Sequence, residues 1–591
     1  IDGVEQVDLL LGQSAKGNRD HYFYHSGAHG VRQGKWKLLH ANRWSEMEMK
    51  RRTYPEDFGT NEVELYNLDE DIGETTNLAA QHPEVVAKLQ ALSLPAEKPA
   101  FSPTAAKSIS SKNQPNAKGK AKFKTGDARR VRSPNIVFFM ADDLGIGDVQ
   151  CYNPESTVPT PHIDALAEAG TRFTDAHSPS AVCSPTRYSV LTGRYPWRDG
   201  IGGAIQGIAD PELKRNQPVV AKFLRRYGYH TAMFGKWHIG LRFAGDYTVT
   251  NPGIIEGEPN FEMPIVDGPT HHGFDVFFGI NGNFSLPQHL DFWIENDGVV
   301  APDLLVPKNE KHLRRDVVLD AWRAEDWDPR DLTRLPLEKA LAFLDEHYRK
   351  HPEQPFYLHF TPNAIHKDFF PNEILNGEPV ADRGGKLGPR GELIVETDIM
   401  LGAFVAKLKE LGIFEDTIVV FTSDNGGQGA AEALEVGHRV NGPWAGCKGM
   451  ILEGGHRVPY ILSYPAGGVK AGEVDDETEL GLVDWFPSVA TYVAGPEAVA
   501  RLRPFDGADR SDLFRGEKPA PRERALIHSG SSRPIGQIEP HPIMKESRFG
   551  GFAVREGDWK LIVRGVEGKP WALYDLAADP AEQRNLYAKE P

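Results

Sequence analysis

Two short polar pairs carry the first chemical signal in the chain. The apolar run Asn135-Ile136-Val137-Phe138-Phe139-Met140 leads to Asp142-Asp143, and a second run over Thr417 to Thr422 leads to Asp424-Asn425-Gly426-Gly427. Continuous apolar runs of this length read as strands buried on both faces. Functional sites in α/β sheets lie beyond the carboxyl ends of strands. Three carboxylates and an amide oxygen gathered there repel one another unless a divalent cation sits among them. All-oxygen ligation suits Ca²⁺ or Mg²⁺, and an all-protein cage favours Ca²⁺. Asp, Asn and Gly are also common turn residues, but two such pairs after two buried strands favour the metal.

Cys183-Ser184-Pro185-Thr186-Arg187 leads into Tyr188-Ser189-Val190-Leu191-Thr192-Gly193. Ser184 is a helix cap by type and Pro185 suits a first helical position, which sets Cys183 just ahead of a helix N-terminus. Free N–H groups and the helix dipole there favour an anion and lower a thiol pKa. A reactive thiol and a buried inert cysteine both stay open on this pattern alone. Cys151 and Cys447 read as reduced thiols, and three cysteines cannot build a disulfide scaffold.

The elements that must position these residues alternate. Thr160-Pro161 opens a helix closed by Gly170, with Ile163, Leu166 and Ala167 on one face; a long helix fits Glu392 to Leu411, closed by Gly412. Strands alternating with helices imply an α/β domain around a largely parallel sheet. The 591 residues, 40% hydrophobic and 25% charged, are ordinary for a globular protein. A net charge of −16 gives no help in binding nucleic acid or an anionic membrane surface, but does not oppose a locally positive site for a small anion. No apolar run is long enough to span a bilayer, so no membrane segment is expected. Ile1 begins no signal-peptide pattern, and the expectation is a fragment or processed product.

The chain also repeats itself. Asp2-Gly3, Asp8-Leu9 and Gly12 recur as Asp506-Gly507, Asp512-Leu513 and Gly516. His25-Ser26-Gly27 recurs as His528-Ser529-Gly530, and Val31-Arg32-Gln33-Gly34-Lys35-Trp36-Lys37-Leu38 as Val554-Arg555-Glu556-Gly557-Asp558-Trp559-Lys560-Leu561. Leu65-Tyr66-Asn67-Leu68, Asp71, Glu74 and Asn77-Leu78 recur as Leu573-Tyr574-Asp575-Leu576, Asp579, Glu582 and Asn585-Leu586. Each copy reads as a small antiparallel sheet, with a helix from Pro83 to Leu92 in the first, too small to stand without a larger domain. Pro95 to Ser133 holds seven Lys and three Arg against Glu97 and Asp127, a net charge of +8 with few apolar residues, and reads as a disordered linker. The expected division is 1–94, 95–132, 133–500 and 501–591.

Cys-x-Pro-x-Arg followed by Leu-Thr-Gly resembles the signature of type I sulfatases, the formylglycine-dependent, arylsulfatase-like members of the alkaline phosphatase superfamily. The resemblance extends to Asp142-Asp143, the Thr160 to Ala167 segment, Gly235-Lys236-Trp237-His238-Ile239-Gly240, Ser423-Asp424-Asn425-Gly426-Gly427 and Lys448 through Glu453-Gly454-Gly455-His456-Arg457-Val458-Pro459. These segments stand in family order. The resemblance implies a largely parallel sheet sandwiched by helices, with a small C-terminal antiparallel sheet-plus-helix subdomain. Residues 1–94 then resemble the tail of an upstream tandem sulfatase.

The resemblance also implies roles. Cys183 is oxidised to formylglycine, whose hydrate supplies the nucleophile and expels sulfate by reverting to the aldehyde. Asp142, Asp143, Asp424 and Asn425, with the modified Cys183, match the ligands of a metal, Ca²⁺ or alternatively Mg²⁺. Arg187 orients the modified side chain, Lys236 and Lys448 bind sulfate oxygens, His238 is the base and His366 the acid that protonates the leaving alcohol. Two positions depart from the pattern: Thr186 stands where Ser is usual, and Ile365 where Pro commonly precedes the acid histidine. His271-His272 and Gly279 to Asp297 are expected to line the substrate entrance. The implied partners are a sulfated small molecule or glycan and a formylglycine-generating enzyme, and the implied location is periplasmic or secreted. The competing readings are a phosphodiester or phosphonate monoester hydrolase on the same fold, and a catalytically dead sulfated-glycan-binding protein.

Overall fold

The Trp-Lys-Leu stretch that occurs twice in the sequence forms a strand of a small antiparallel sheet both times. In the computed structural model the described residues are 22–25, 29–33, 35–39, 63–67, 76–93 and 133–587, the last range broken at 206, 252–253, 285–288, 309–320, 430, 503, 537, 546–549 and 566–568. They fall into two compact units, one within Ile1–Ala128 and one within Arg129–Glu590. The expected linker over 95–132 and the repeated residues from Asp2 to Gly12, at Ser26, Gly27 and Gly34 and from Leu68 to Glu74 lie outside the described residues.

In the first unit, β1 (Tyr22–His25), β2 (His29–Gln33), β3 (Trp36–Leu39) and β4 (Glu64–Asn67) pair antiparallel in sequence order. Helix α1 (Pro83–Ser93) follows and starts on the proline, as expected. Leu38, Leu65 and Leu89 are buried together, with Trp36, Val63, Val85 and Val86 against them. Asn77 ties the end of the unit to β4: its Oδ1 accepts from Leu65 N at 3.0 Å and Ala79 N at 2.9 Å.

The second unit is built on a ten-stranded mixed sheet. Its strands are β5 (Asn135–Ala141), β6 (Thr171–Phe173), β7 (His230–Lys236), β8 (Val276–Ile280), β9 (Ile294–Glu295), β10 (Gly298–Val299), β11 (Phe356–Thr361), β12 (Thr417–Ser423), β13 (Tyr460–Ser463) and β14 (Glu473–Asp475). They stand in the order β10-β9-β8-β7-β11-β5-β12-β13-β6-β14. From β8 to β12 all neighbours are parallel, and β13 and β9 turn the two flanks antiparallel.

Alternation along β5 explains the sandwich. Ile136, Phe138 and Met140 face one core, with Tyr188, Val190 and Leu191 of α3 (Cys183–Thr192) and Phe486 and Val489 of Trp485–Ala494. Val137, Phe139 and Ala141 face the other, with Ile163 and Leu166 of α2 (Pro161–Glu168), Leu337 and Phe343 of Asp331–Lys350, and Ile394, Leu401 and Phe404 of Gly388–Glu410. Both faces of β5 are therefore covered, which is why its sequence does not alternate. The long helix starts at Gly388 rather than Glu392 because Pro389 suits its first turn. No helix among the described residues is long and apolar enough to cross a membrane.

The unit ends in a four-stranded antiparallel sheet of β15 (Leu526–Ser531), β16 (Gly550–Glu556), β17 (Trp559–Arg564) and β18 (Lys569–Asp575). Arg555 pairs with Lys560, Trp559 with Asp575 and Leu561 with Leu573, as Arg32 pairs with Lys37, Trp36 with Asn67 and Leu38 with Leu65 in the first unit. Asn585 takes the part of Asn77, its Oδ1 accepting from Leu573 N at 3.1 Å. The helix of the expected sheet-plus-helix pair is present after the first sheet as α1; the described chain after the second sheet runs in turns to Tyr587.

Candidate active site

Four neighbouring parallel strands deliver side chains to one place from their carboxyl ends. Lys236 ends β7, Thr361 ends β11 and runs on to Asn363 and His366, β5 is followed by Asp142-Asp143, and β12 by Asp424-Asn425. Cys183 and Arg187 come from the start of α3, and Lys448 from the loop ahead of Glu453–His456.

The buried ion pairs are short. Lys236 Nζ donates to Asp142 Oδ2 at 2.6 Å, and Asn363 Nδ2 donates to the same oxygen at 3.1 Å. Lys448 Nζ donates to Asp143 Oδ2 at 2.7 Å, and Asn425 Nδ2 to Asp143 Oδ1 at 2.8 Å. Arg187 reaches Asp424 Oδ2 through Nε at 3.1 Å and NH2 at 2.7 Å, and its NH1 donates to Lys236 O at 3.0 Å. His366 Nε2 lies 4.0 Å from Asp143 Oδ2. His238 is coupled electrostatically to Lys236, Arg187 and Asp142. All ten residues singled out in the sequence thus meet. Asp143 and His238 hold left-handed backbone, with φ of 68° and 60°, a strain that persists where surrounding structure fixes it.

Side-chain oxygens here are left over. Among the described residues, Asp142 Oδ1 and Asn425 Oδ1 are buried without a hydrogen-bond partner. Ligand atoms of Asp142, Cys183 and Asp424 lie within 4.8 Å of one another. Burial and the Asp142 charge push the Asp424 carboxyl up to about 7, whereas Asp142 itself is held well below the usual range despite burial, chiefly by Lys236. Unequal carboxylates with unused oxygens are what a divalent cation would even out, and the donor set suits one that prefers oxygen.

Three expectations need correction. The cap of α3 is Val182, in extended backbone, not Ser184; Cys183 is the first helical residue, and Ser184 Oγ instead accepts from Ile205 N at 3.0 Å. The helix N-terminus does not lower the Cys183 thiol: complete burial raises its pKa, and Lys236 and Lys448 only partly offset this. A thiolate nucleophile is therefore disfavoured. His272 is also no entrance residue. It is buried, with Nε2 2.8 Å from Asp267 Oδ1 and Nδ1 3.2 Å from Lys222 Nζ.

Both histidines at the site are kept neutral. Burial, with Lys236 next, lowers His238 well below the usual imidazole range, and burial, Lys448 and Lys236 bring His366 to about 4. His238 Nε2 faces Ile205 O at 2.9 Å, so that nitrogen carries the proton and Nδ1 a free lone pair.

The C-terminal sheet reaches into the site. Ser529 N donates to Pro179 O at 3.0 Å and Ala181 N to Ser529 O at 2.9 Å, which fixes the approach to Cys183. Ser531 N donates to Gly449 O at 2.8 Å, Ile451 N to Ser531 O at 2.9 Å and Ile535 N to Lys448 O at 2.9 Å, which fixes the Lys448 loop. A Cβ on Gly530 would lie 2.8 Å from Ile451 Cα, so only glycine fits between the loops. Beneath this strap, Glu453 receives Lys560 at 3.0 Å and Arg457 at 2.9 Å, and Arg555 bonds Asp175. His177, His456 and His528 lie among these charges. The His456 and His528 rings stack at 3.9 Å with 5° between planes, so their in-plane lone pairs run parallel and do not converge on an ion.

The sequence reading missed Asn363, three residues ahead of His366, and the strap, whose only signal was the repeated His-Ser-Gly. It also did not single out Asn281, Asn283 and His289, which line a cavity with His238.

A protein-family model described as Sulfatase matches residues 134–495. Human arylsulfatase A is 30% identical over 492 residues, 77% of this chain and 84% of that one. An N-acetylgalactosamine-6-O-sulfatase of Bacteroides thetaiotaomicron is 27% identical over 518 residues, 80% of this chain and 93% of its own. A solved structure from a core genetic locus for the metabolism of multiple glycosaminoglycans by Bacteroides thetaiotaomicron superposes with a TM-score of 0.62 at 26% identity, covering 78% of this chain and 96% of that one. The chain belongs to the sulfatase family, among the proteins of alkaline-phosphatase-like fold.

Proposed function

We propose that this sulfuric ester hydrolase cleaves its substrate with a formylglycine hydrate made from Cys183, beside a divalent metal held by Asp142, Asp143, Asp424, Asn425 and residue 183. The observation that carries the reading is the meeting of Asp142, Cys183 and Asp424 within 4.8 Å, flanked by two buried lysines. The hydrate supplies a hydroxyl nucleophile with a second hydroxyl through which the aldehyde returns. A cation held by these residues, proposed to be Ca²⁺, would supply Lewis-acid chemistry, lowering the pKa of that hydroxyl and drawing charge from the sulfuryl group.

The chain's own side chains do the rest. Arg187, pinned between Asp424 and Lys236 O, orients residue 183. Lys236 and Lys448 grip the sulfate oxygens and stabilise charge growing there in a dry site. His238 takes a proton on Nδ1, its Nε2–H being committed to Ile205 O. His366, with Nδ1 bonded to Lys367 O, presents Nε2 to the leaving oxygen and delivers the proton there. Burial and the two lysines suppress its proton; an anionic sulfate lodged between the lysines offsets their repulsion and lets His366 act as an acid.

The substrate is a carbohydrate or aryl sulfate, in line with the names of the relatives. A formylglycine-generating enzyme acts on Cys183 during maturation, and the setting is periplasmic or secreted; both rest on family resemblance. The division at 94, 132 and 500, with residues 1–94 as a partial copy of the C-terminal subdomain from an upstream tandem sulfatase, belongs to the same reading and is supported by the matching registers and the Asn77 and Asn585 ties.

The test is hydrolysis of 4-nitrophenyl sulfate against a matched aryl phosphodiester, with protein co-produced with a formylglycine-generating enzyme and Cys183→Ala as control. Sulfate turnover that disappears in the control is expected. Preference for the phosphodiester would overturn the substrate class. Inactivity on both, with the aldehyde present in the tryptic peptide Phe173–Arg187, would favour a binding protein.

A further inference from the structure

The segment that carries His366 is tied at its two ends and not between them. At the near end Asp142 N donates to Ala364 O at 2.8 Å and Ile365 N to Asp142 O at 2.6 Å, which holds it against the end of β5. The His366 ring then takes its direction from Lys367 O, to which its Nδ1 is bonded. From Lys367 to Pro371 no backbone N–H or C=O bonds another backbone group among the described residues. Phe369 packs on the helix-side core and Phe370 against Phe284, contacts that bury surface without fixing direction.

The far tie is Asn372. Its backbone N–H and its Nδ2 both donate to Glu396 Oε1, the second at 3.1 Å. Nδ2 also reaches Arg330 O at 3.0 Å and Thr333 Oγ1 at 3.1 Å, at the start of the helix Asp331–Lys350. Glu396 lies inside the long helix Gly388–Glu410, fully buried and with no ion pair among the described residues. Burial raises its carboxyl to about 7, which the bonds from Thr333 and Asn372 only partly offset, and its Oε2 has no partner. A buried carboxyl of this kind costs stability, and an apolar residue would pack a helix better. What Glu396 provides is one acceptor, Oε1, where the segment has to be caught.

We infer that Glu396 is a positioning residue for proton donation by His366: by catching Asn372 it sets the length and direction of the segment whose other end presents the histidine. This rests on the reading of His366 as the acid and adds a residue that acts through it. Released at Asn372, the segment can shift Lys367 O and the ring it aims, and a displacement of about 1 Å costs about a hundredfold in rate. The ionised and the neutral carboxyl both leave Oε1 an acceptor, so the tie does not depend on charge.

The experiment measures kcat/KM of the matured full chain on 4-nitrophenyl, phenyl and 4-methoxyphenyl sulfate, three esters of similar shape whose leaving groups grow more basic. An acidic phenol departs with little help, and a basic one needs the proton. Glu396→Leu and Asn372→Ala are each expected to lose about a hundredfold on 4-methoxyphenyl sulfate and to stay within about threefold on 4-nitrophenyl sulfate, whose turnover also reports that the variant is folded. Glu396→Gln keeps the acceptor and is expected to stay within about threefold of wild type on all three. If Glu396→Leu does not fold, Asn372→Ala, on the half-buried side of the same bond, carries the test. A loss equal on all three esters, kinetics unchanged in Glu396→Leu and Asn372→Ala, or a Gln variant as impaired as the Leu variant would overturn the inference. His366→Ala is the reference: if it does not steepen the dependence on the leaving group, the reading of His366 as the acid fails, and the inference with it. If Cys183→Ala keeps its activity, it is the reading of the whole site that fails.

Discussion

Lys448 Nζ lies 2.7 Å from Asp143 Oδ2, so a residue proposed to grip sulfate and one proposed to grip the metal share a single buried bond. The pair cannot be judged by charge alone. Lys448→Ala removes a cation from the transition state and also leaves Asp143 buried beside Asn425 with its main counter-charge gone. The expected result is a fall in kcat/KM of about 10²–10³-fold, together with a stability loss of about 3–5 kcal/mol. Steady-state kinetics and thermal unfolding of the one variant check both. Activity lost with stability intact would mean that the ion pair is not a structural tie.

Three carboxylates at the site face three cations, Arg187, Lys236 and Lys448, so an incoming sulfate brings excess negative charge unless a divalent cation comes too. Dialysis against a chelator is therefore expected to abolish turnover and weaken inhibition by inorganic sulfate. Calcium should restore both. It should also raise Tm, since a ligand at a hundred times its Kd stabilises the folded state by about 2.7 kcal/mol. Asp424→Asn should remove the calcium-dependent rise in Tm. A Tm indifferent to chelator and calcium would count against the ligand set whatever the activity did.

The parallel core and its site could be read from the sequence because each rests on local pattern. Asn135 to Met140 is apolar at every position after Asn135, and the carboxylates come directly after the strand that places them. Cys183 shows the limit. A helix N-terminus argues for a low thiol pKa, and the structure sets that against complete burial, which wins. Ser184 looked like a cap because its type is right, but its hydroxyl is used by Ile205, twenty-one residues on. His272 and His289 look alike in the sequence, and only the fold sends one to Asp267 and the other to the cavity. The strap at Ser529 to Ile535 was least legible, since its partners lie some 80 to 350 residues away along the chain and meet it through backbone atoms that carry no residue signature.

The strap ties the C-terminal sheet to the loop that carries Lys448. Gly530→Ala must push the 449–451 segment away, because the added Cβ would meet Ile451 Cα and N at 2.8 Å. Displacing Lys448 by about 1 Å is expected to cost about a hundredfold in kcat/KM and to weaken inhibition by inorganic sulfate. Gly551→Ala, whose Cβ would meet Val563 O at 2.1 Å inside the same sheet, serves as control. It should lower Tm but leave sulfate affinity and turnover near wild type at temperatures where it is folded. Parallel losses in the two variants would show that the sheet acts through stability only.

The two copies of the small sheet are expected to differ in what they support. Arg555 and Lys560 bond Asp175 and Glu453 of the catalytic unit. Arg32 and Lys37 hold the same register in the first unit, whose copy serves another partner on the reading given above. Arg555→Ala with Lys560→Ala should destroy activity and strip stability, by leaving the buried Asp175 and Glu453 to share Arg457 as their remaining guanidinium. Arg32→Ala with Lys37→Ala should leave turnover within about twofold. A large loss from the second pair would mean that the first sheet supports this active site.

Acid should loosen the dock of the C-terminal sheet before it reaches the carboxylates. Burial keeps His177 near 4 and holds His456 and His528 well below the usual value of about 6.5. The charged groups around them are Asp175, Glu453, Glu582, Lys560, Arg457 and Arg555. Between pH 6.5 and the folded values the unfolded chain binds protons that the folded chain refuses, so stability is full above pH 6.5 and falls as pH drops through that window. Each histidine contributes a slope of about 1.4 kcal/mol per pH unit. Glu582, raised to about 7 by burial, works in the opposite direction over part of the range, and Asp175, held below its usual value despite burial chiefly by Arg457, loses its contribution only in stronger acid. The clean measurement is therefore a difference. Urea midpoints of wild type and His528→Gln, taken at steps from pH 7.5 to 4.5, should diverge above pH 6.5 in favour of the wild type and converge below it, as the variant no longer has the proton to refuse. Parallel curves would mean that His528 takes up its proton equally in the folded and unfolded chain, and the stacked pair with His456 would then need a different account.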